Sequence, residues 1–445
     1  MKMPKTPPEY AELYDRISLD SERLSRVYRE VIKAATEGKY LHWDKLQHYT
    51  PPEGLSHEEW WLALKIQRRS GYKSVELKDI KNNGFKYLVT DPIPEMLHKI
   101  DQGAGGFIKM AEQITNPDMK DQYYVNSLIS EAITSSQLEG AATTRKIAKQ
   151  MIQTNRHPRD RSEQMILNNF KTMQRIGKIK DLPLTKELVF EIQRSVTEKT
   201  LDNSSESGTF RDEDNKVVVG DMYNEVFHTP PPADQLEARM EAMCEFANDN
   251  SSKQFIHPVI RSIILHFWLA YDHPFADGNG RTARALFYWS MLKHGYWLFE
   301  FISISQVILN APAKYGKAFL YTETDDNDLT YFIIYHLEVI EKAICQLHDY
   351  IERKTRQLKE VELQIRGLEK FNYRQRNIID HALRHPNYRY TVKSHQFSHN
   401  IVYQTARTDL LDLHESGLLT LHKPGKEHYF TPVADLEARL AGLSE

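Results

Sequence analysis

Cysteine is almost missing from the 445 residues: Cys244 and Cys345 are the only two. That excludes a disulfide framework and a cysteine-bound zinc site as the basis of the fold. Long apolar runs are missing as well. Stretches such as Ile263–Tyr271 are too short to cross a bilayer, so no membrane association is expected. The opening residues MKMPKTPPEY hold no apolar core of a signal peptide, and the expected location is cytoplasmic. Charge of one sign is lacking too. Lys and Arg number 58 against 61 Asp and Glu, a net charge of -3, which excludes a uniformly basic nucleic-acid coat. What is present is an ordinary globular balance, 40% hydrophobic and 27% charged, over a length that calls for two or three domains.

The periodicity predicts a mainly α protein. Residues 1–104 form a helical region broken at Pro51-Pro52, Pro92 and Pro94, where Trp60, Trp61, Leu64 and Ile66 are packing residues. Residues 105–335 read as a helical core interrupted by one hairpin, Lys216–His228, whose valine-rich strands flank a turn. Within that core the pattern predicts helices over Gln122–Leu138, Pro258–Asp272 and Thr282–His294. The second is read as amphipathic, with Ile260, Ile263, Ile264, Phe267 and Tyr271 on one face.

Residues 336–370 read as a long linking helix, for 331–370 contain no proline and Gly367 is the one glycine. Leu337, Ile340, Ile344, Leu347, Ile351, Leu358, Val361, Ile365 and Leu368 fall on steps of three and four. Such a seam fits a partner helix or a second subunit of a homodimer, and equally a buried domain helix. Residues 371–445 form a tail with its own character. Over 366–433 there are ten Lys and Arg against six Asp and Glu, with seven His, in the order helix, short extended piece, helix, helix, hairpin.

The chemistry concentrates in His273-Pro-Phe-Ala-Asp-Gly-Asn-Gly-Arg-Thr-Ala-Arg284. Gly278 and Gly280 stand just before a predicted helix, so their backbone N–H groups and the helix N-terminus make a hollow suited to phosphate. Arg281 and Arg284 lie one turn apart on one face, which implies a ligand with several negative charges. Asp277 is a hard oxygen donor beside that hollow, and one carboxylate plus phosphate oxygens is a usual way to hold Mg²⁺. His273 precedes the loop, placed to take a proton from an incoming hydroxyl. Base, metal and cationic clamp are the parts that phosphoryl or nucleotidyl transfer needs. The sequence contains no Gly-x-x-x-x-Gly-Lys-[Ser/Thr], Gly-x-Ser-x-Gly or His-Glu-x-x-His.

At these residues the chain resembles the Fic family, whose signature His-x-Phe-x-[Asp/Glu]-Gly-Asn-Gly-Arg-x-x-Arg it matches at every specified position. The resemblance implies a Fic-type helical core with a β-hairpin flap, and transfer of AMP from ATP to a Ser, Thr or Tyr hydroxyl of a protein target, which includes the chain itself as an acceptor. It further implies His273 as the base, Asp277 as the Mg²⁺ ligand, and Gly278, Asn279 and Gly280 as the anion hole. Arg281 would grip the departing phosphates, and Phe275 would anchor the loop in the core. Gly278-Asn-Gly-Arg281 departs from the Ala-Asn-Lys-Arg of the phosphate-transferring branch, which favours adenylyl transfer. Gly208-Thr-Phe-Arg211 resembles the family's Gly-x-x-Arg lead-in.

Ser135-Ser-Gln-Leu-Glu139-Gly140 is similar to the family's inhibitory motif, [Ser/Thr]-x-x-x-Glu-[Gly/Asn], placed N-terminal to the loop as in its class II arrangement. The resemblance implies that Glu139, oriented by Ser135, pairs with Arg284 and blocks the ATP γ-phosphate site. The tail resembles a C-terminal winged helix-turn-helix, with Tyr403, Gln404 and Arg407 toward a DNA groove and Lys423 and Lys426 on phosphates. Two other readings remain at this point: a DNA-binding regulator that uses the core as a nucleotide sensor, and a hydrolase that removes AMP.

Overall fold

The computed structural model describes residues 2–33, 39–104, 117–212, 219–220, 226–248, 254–364, 370–423 and 428–442. It forms two compact units that do not follow chain order. One combines Met1–Gly106, Lys171–Phe299 and Ile304–Lys342; the other combines Phe107–Phe170, Glu300–Ser303 and Ala343–Glu445. Among the described residues, no helix is long and apolar enough to cross a membrane.

In the first unit, Tyr10–Ser18, Ser21–Lys33, Trp43–Leu46 and His57–Arg69 are helices. Ser56 and Glu59 close a capping box on the last of these, satisfying orphan N–H groups at both positions. Trp60, Trp61 and Leu64 are buried with Leu13, Ile17, Val27 and Leu46, as packing residues should be. A hairpin follows that the sequence reading did not anticipate: β1 (Lys73–Lys78) pairs antiparallel with β2 (Gly84–Tyr87). Its signal was present in the alternation that buries Val75 and Leu77 and in the Asn82-Asn83-Gly84 turn. Phe85 of β2 meets Phe267 and Tyr271 at ring separations of 5.4 and 5.0 Å.

Residues 1–104 are thus joined to the core by more than sequence. Lys86 N–H donates to the Asn327 carbonyl, and Leu329 N–H donates to the Lys86 carbonyl. Lys65 Nζ lies 2.7 Å from the Asp325 carboxylate, with both side chains at 3% exposure or less. Tyr331 donates to the other Asp325 oxygen at 2.8 Å, and Tyr40 and Tyr72 both donate to Asp328. Burial alone would raise the Asp325 carboxyl, but Lys65 and Arg68 hold it below its ordinary range.

The centre of this unit is the helix pair Pro258–Asp272 and Asn279–Lys293. Pro258 at the first helical turn and the His257 side chain, which accepts from Val259 N–H, start the first helix. The pattern predicts one apolar face for it. The structure instead buries 13 of its 15 residues, so it is a central helix covered on all sides. Ser262 and Ser290 satisfy each other across the pair at 2.8 Å, which lets two polar residues sit in the interior. The second helix begins at Asn279, three residues before the expected Thr282, so Asn279 and Gly280 belong to its first turn. Of the expected hairpin, β3 (Val219–Gly220) pairs antiparallel with β4 (Val226–His228); 213–218 and 221–225 lie outside the described residues.

In the second unit, Pro117–Leu138 covers the expected Gln122–Leu138 helix, and Arg145–Gln153 follows it. The long helix is Thr330–Gln364, 35 residues or about 52 Å at 1.5 Å per residue, and the unit boundary falls within it. Leu337, Ile340, Ile344, Leu347 and Ile351 of the expected seam are buried in this single chain. Ile365 and Leu368 lie outside the described residues. The tail runs Tyr373–Arg384, Val392–His399 and Tyr403–Glu415, then β5 (Leu419–His422) paired with β6 (Tyr429–Pro432). Its core gathers Ile378, Ile379, Leu410, Leu413, Leu419 and Phe430. Tyr390 and Phe430 exchange backbone bonds at 2.8 Å in both directions, which ties the expected extended piece to the hairpin. Asp409, turned inward, takes hydrogen bonds from Arg374, His395 and Asn372, while Tyr403, Gln404 and Arg407 are exposed. Lys426 lies outside the described residues.

Candidate active site

Helix Pro258–Asp272 ends on its own terms. Asp272 is buried and accepts from Arg239 at 2.8 Å and from the Trp268 indole at 3.0 Å, which pins the last turn. His273 then turns the chain in the left-handed region, φ 46° and ψ 55°, with its N–H donating to the Leu269 carbonyl. A residue other than glycine in this region carries strain of about 1–2 kcal/mol, and such strain collects at functional positions. The ring Nδ1 of His273 faces the Ala270 carbonyl at 3.4 Å. A carbonyl can only accept, so Nδ1 carries a proton in this contact, which leaves Nε2 as the nitrogen that a neutral ring would use to accept.

The loop after His273 is held from three sides. Arg211 Nε donates to the His273 carbonyl at 2.9 Å, its N–H donates to the Pro274 carbonyl, and its guanidinium also reaches the Pro231 carbonyl. Burial pulls the Arg211 guanidinium below its usual range, with Asp272 opposing. Phe275 is fully buried, edge-on to Phe190 at 5.9 Å, and Phe190 in turn meets Phe210 at 4.9 Å. Asn279 closes the turn on itself: its side chain accepts from Phe275 N–H at 3.0 Å and donates to the Phe275 carbonyl at 2.7 Å. The side chain of Asn279 therefore shapes the loop, and its share of an anion hole would come from the backbone.

Gly278 caps the next helix at φ 86°, and a Cβ there would lie 2.6 Å from Thr197 Cγ2. Glycine is required twice, by conformation and by space. Its N–H donates to Asp277 Oδ1 at 2.5 Å. The N–H groups of the first helical turn, Asn279 onward, have no acceptor within the helix, and the helix dipole adds positive charge at the same place. Arg281 Nη2 lies 3.2 Å from Asp277 Oδ1, and its Nη1 donates to the Val196 carbonyl at 2.6 Å. The guanidinium is buried, so a phosphate gripped by Arg281 would share it with these partners. Arg284, one turn further, is buried as well, and burial, with the Arg284 charge beside it, holds His266 well below the ordinary histidine range.

These residues can hold Mg²⁺ in one way. Asp277 is oriented by Gly278 and Arg281 with 39% of its side chain exposed. Among the described residues, no group of three or more His, Cys, Asp or Glu is arranged to hold a metal. Phosphate oxygens would complete the coordination, as the hard-ion chemistry of Mg²⁺ permits.

The structure thus brings His273, Asp277, Gly278, Asn279, Gly280, Arg281 and Arg284 onto one helix end, loop and helix start. Ser135 and Glu139 belong to the second unit. Ser135 is buried, and Glu139 is exposed at the end of Pro117–Leu138, where Gly140 at φ 89° closes the helix and Ala141 N–H donates to the Ser136 carbonyl. Gln193 is a positioning residue that the sequence reading missed. Its amide donates to the Asp277 carbonyl at 3.1 Å and accepts from Gly208 N–H at 2.6 Å, bridging loop and lead-in. A glutamine inside a helix carries no pattern that would have singled it out.

Residues 183–291 match the Fic/DOC family, so the chain contains a Fic domain around this site. It is 26% identical over 210 residues to a protein named protein adenylyltransferase Fic of Nematostella vectensis, 45% of either chain. It is 32% identical over 118 residues to the protein of the same name in Drosophila virilis, covering 26% of this chain and 22% of that one. The match thus spans less than half the length of these curated relatives. A Fic family protein from Desulfovibrio desulfuricans G20 has the same fold at a TM-score of 0.50 and 17% identity, over 78% of this chain and 98% of that one.

Proposed function

We propose that the chain is a Mg²⁺-dependent protein adenylyltransferase. The observation that carries the reading is the loop His273–Arg284, complete in its signature and folded against a helix N-terminus with His273 Nδ1 turned to the Ala270 carbonyl. The target hydroxyl oxygen attacks the α-phosphorus of ATP, an O–P bond forms, and the bond to the β-phosphate oxygen breaks, releasing pyrophosphate. The hydroxyl proton passes to His273 Nε2. The first-turn N–H groups of Asn279–Lys293 receive the negative charge that develops on the phosphate oxygens. Mg²⁺ on Asp277 would offset phosphate charge when bound. Relatives named protein adenylyltransferase Fic support this chemistry for the matched domain.

The finer part of the proposal is a brake. Ser135-x-x-x-Glu139-Gly140 places a carboxylate at a helix end, and a Glu139–Arg284 pair would deny Arg284 to the γ-phosphate. ATP would then bind with its α-phosphate out of line, and misplacement alone can cost on the order of a hundredfold in rate. Incubation with radiolabelled ATP and Mg²⁺ tests this. The Glu139→Gly protein is expected to label itself on the order of a hundredfold faster than wild type. Equal labelling would remove the brake from the account.

A further inference from the structure

Strand β4 ends at His228, whose ring is buried between two acceptors. Nε2 lies 2.7 Å from the Tyr271 carbonyl, and Nδ1 lies 2.7 Å from the Glu323 carboxylate on helix Pro312–Thr324. Neither partner has a proton to give, apart from a protonated Glu323. Both contacts are hydrogen bonds only when both ring nitrogens carry hydrogen, which is the imidazolium. A neutral ring would keep one bond and point a lone pair at an acceptor 2.7 Å away. The Tyr271 carbonyl sits in the last turn of the helix that ends at His273.

We infer that His228 and Glu323 form a proton-operated latch that docks strand β4 onto the helix end carrying His273, and that His228 is thereby a positioning residue for strand β4. The inference rests on the adenylyltransferase reading for its consequence, though not for its geometry. Other charged and titratable groups face the ring from the surrounding elements. Tyr271 lies at a ring separation of 4.6 Å, and Asp272 acts through space from the same helix while paired with Arg239 of Leu236–Ala247. Asp79, at the end of β1, acts on Tyr271. Burial pulls the His228 pKa down, but the bond and charge of Glu323, the Tyr271 carbonyl and Asp272 more than offset it, leaving it above 6.5.

The latch is therefore fully closed below the ordinary histidine range and opens as pH rises through the raised value, the proton leaving to solvent. Transfer would lose its latched strand β4 on the alkaline side.

Glu323→Gln separates the latch from mere packing. A glutamine amide can donate to Nδ1, so a neutral ring with its proton on Nε2 satisfies both partners and the latch stays shut at high pH. The full-length protein is compared at pH 6 and pH 8.5 by hydrogen exchange of the 226–230 backbone, corrected for intrinsic rates. Wild type is expected to lose roughly tenfold protection on going to the higher pH, as befits a lost charge-assisted bond. The Glu323→Gln protein is expected to keep it. Histidine-selective NMR on wild type should place the His228 transition above that of exposed histidines. A pH-independent wild type, the same pH response in the variant, or a normal His228 transition would each overturn the latch. None of these readings depends on catalysis, so loss of the transferase reading would show separately, as absent AMP transfer with the latch intact.

Discussion

At the scale of single residues, the site works by constraint. His273 and Gly278 both sit at positive φ on either side of four loop residues; among these Phe275 is buried, and Asn279 just beyond ties its backbone. The result is a histidine and a helix N-terminus held at the two ends of one short loop. Gly278→Ala should break this. It adds left-handed strain of about 1–2 kcal/mol and drives a methyl into Thr197, where overpacking costs about 1–3 kcal/mol more. A lowered melting temperature and loss of labelling are the expected outcome; an unchanged melting curve would mean the loop tolerates a side chain. The sequence makes Gly278 legible because φ and space require glycine there, and His273 and Asp277 because the matched signature singles them out. It could not reveal Gln193, whose importance comes only from where helix Lys186–Thr197 packs.

Among elements, Arg211 is the strap that joins the lead-in, the Pro230–Pro232 turn and the active loop, through carbonyls at His273, Pro274 and Pro231. Replacing it with Met keeps much of its volume but leaves the His273 and Pro231 carbonyls without their charged donor. Bonds to charged groups contribute about 1.5–3 kcal/mol each. Arg211→Met should therefore unfold in less urea and lose labelling, and unchanged stability with full activity would show that the strap is dispensable. Element boundaries illustrate what pattern alone conveys. Pro258 and the His257 cap set the start of the first core helix correctly, because local chemistry decides it. The next helix starts three residues early because Gly278, in the left-handed region, serves as its N-cap, a role that an apolar pattern beginning at Thr282 does not register. The β1–β2 hairpin is weakly marked for a related reason: only Val75, Leu77, Phe85 and Tyr87 turn inward, too few to outweigh the helical texture around them.

For the whole molecule, the lesson is that a run of helices does not reveal its partition. Residues 1–104 read as a region apart, yet Lys65 and Arg68 reach Asp325 and β2 pairs with 327–329, contacts across more than two hundred residues of sequence. Such buried charges cost about 3–5 kcal/mol when one partner is removed, so they fix the register of one element on another even where they add little net stability. Helix Pro312–Thr324, which bears Glu323, ends at this cluster. The proposed chemistry is transfer of AMP with His273 as the base. Intact-mass spectrometry of the Glu139→Gly protein, with and without His273→Ala, after incubation with ATP and Mg²⁺ is its sharpest test. An AMP adduct is expected on the former and a rate about 10²–10⁴-fold lower on the latter, with ATP binding retained. A phosphate adduct in place of AMP, or undiminished adduct on the His273→Ala protein, would contradict it.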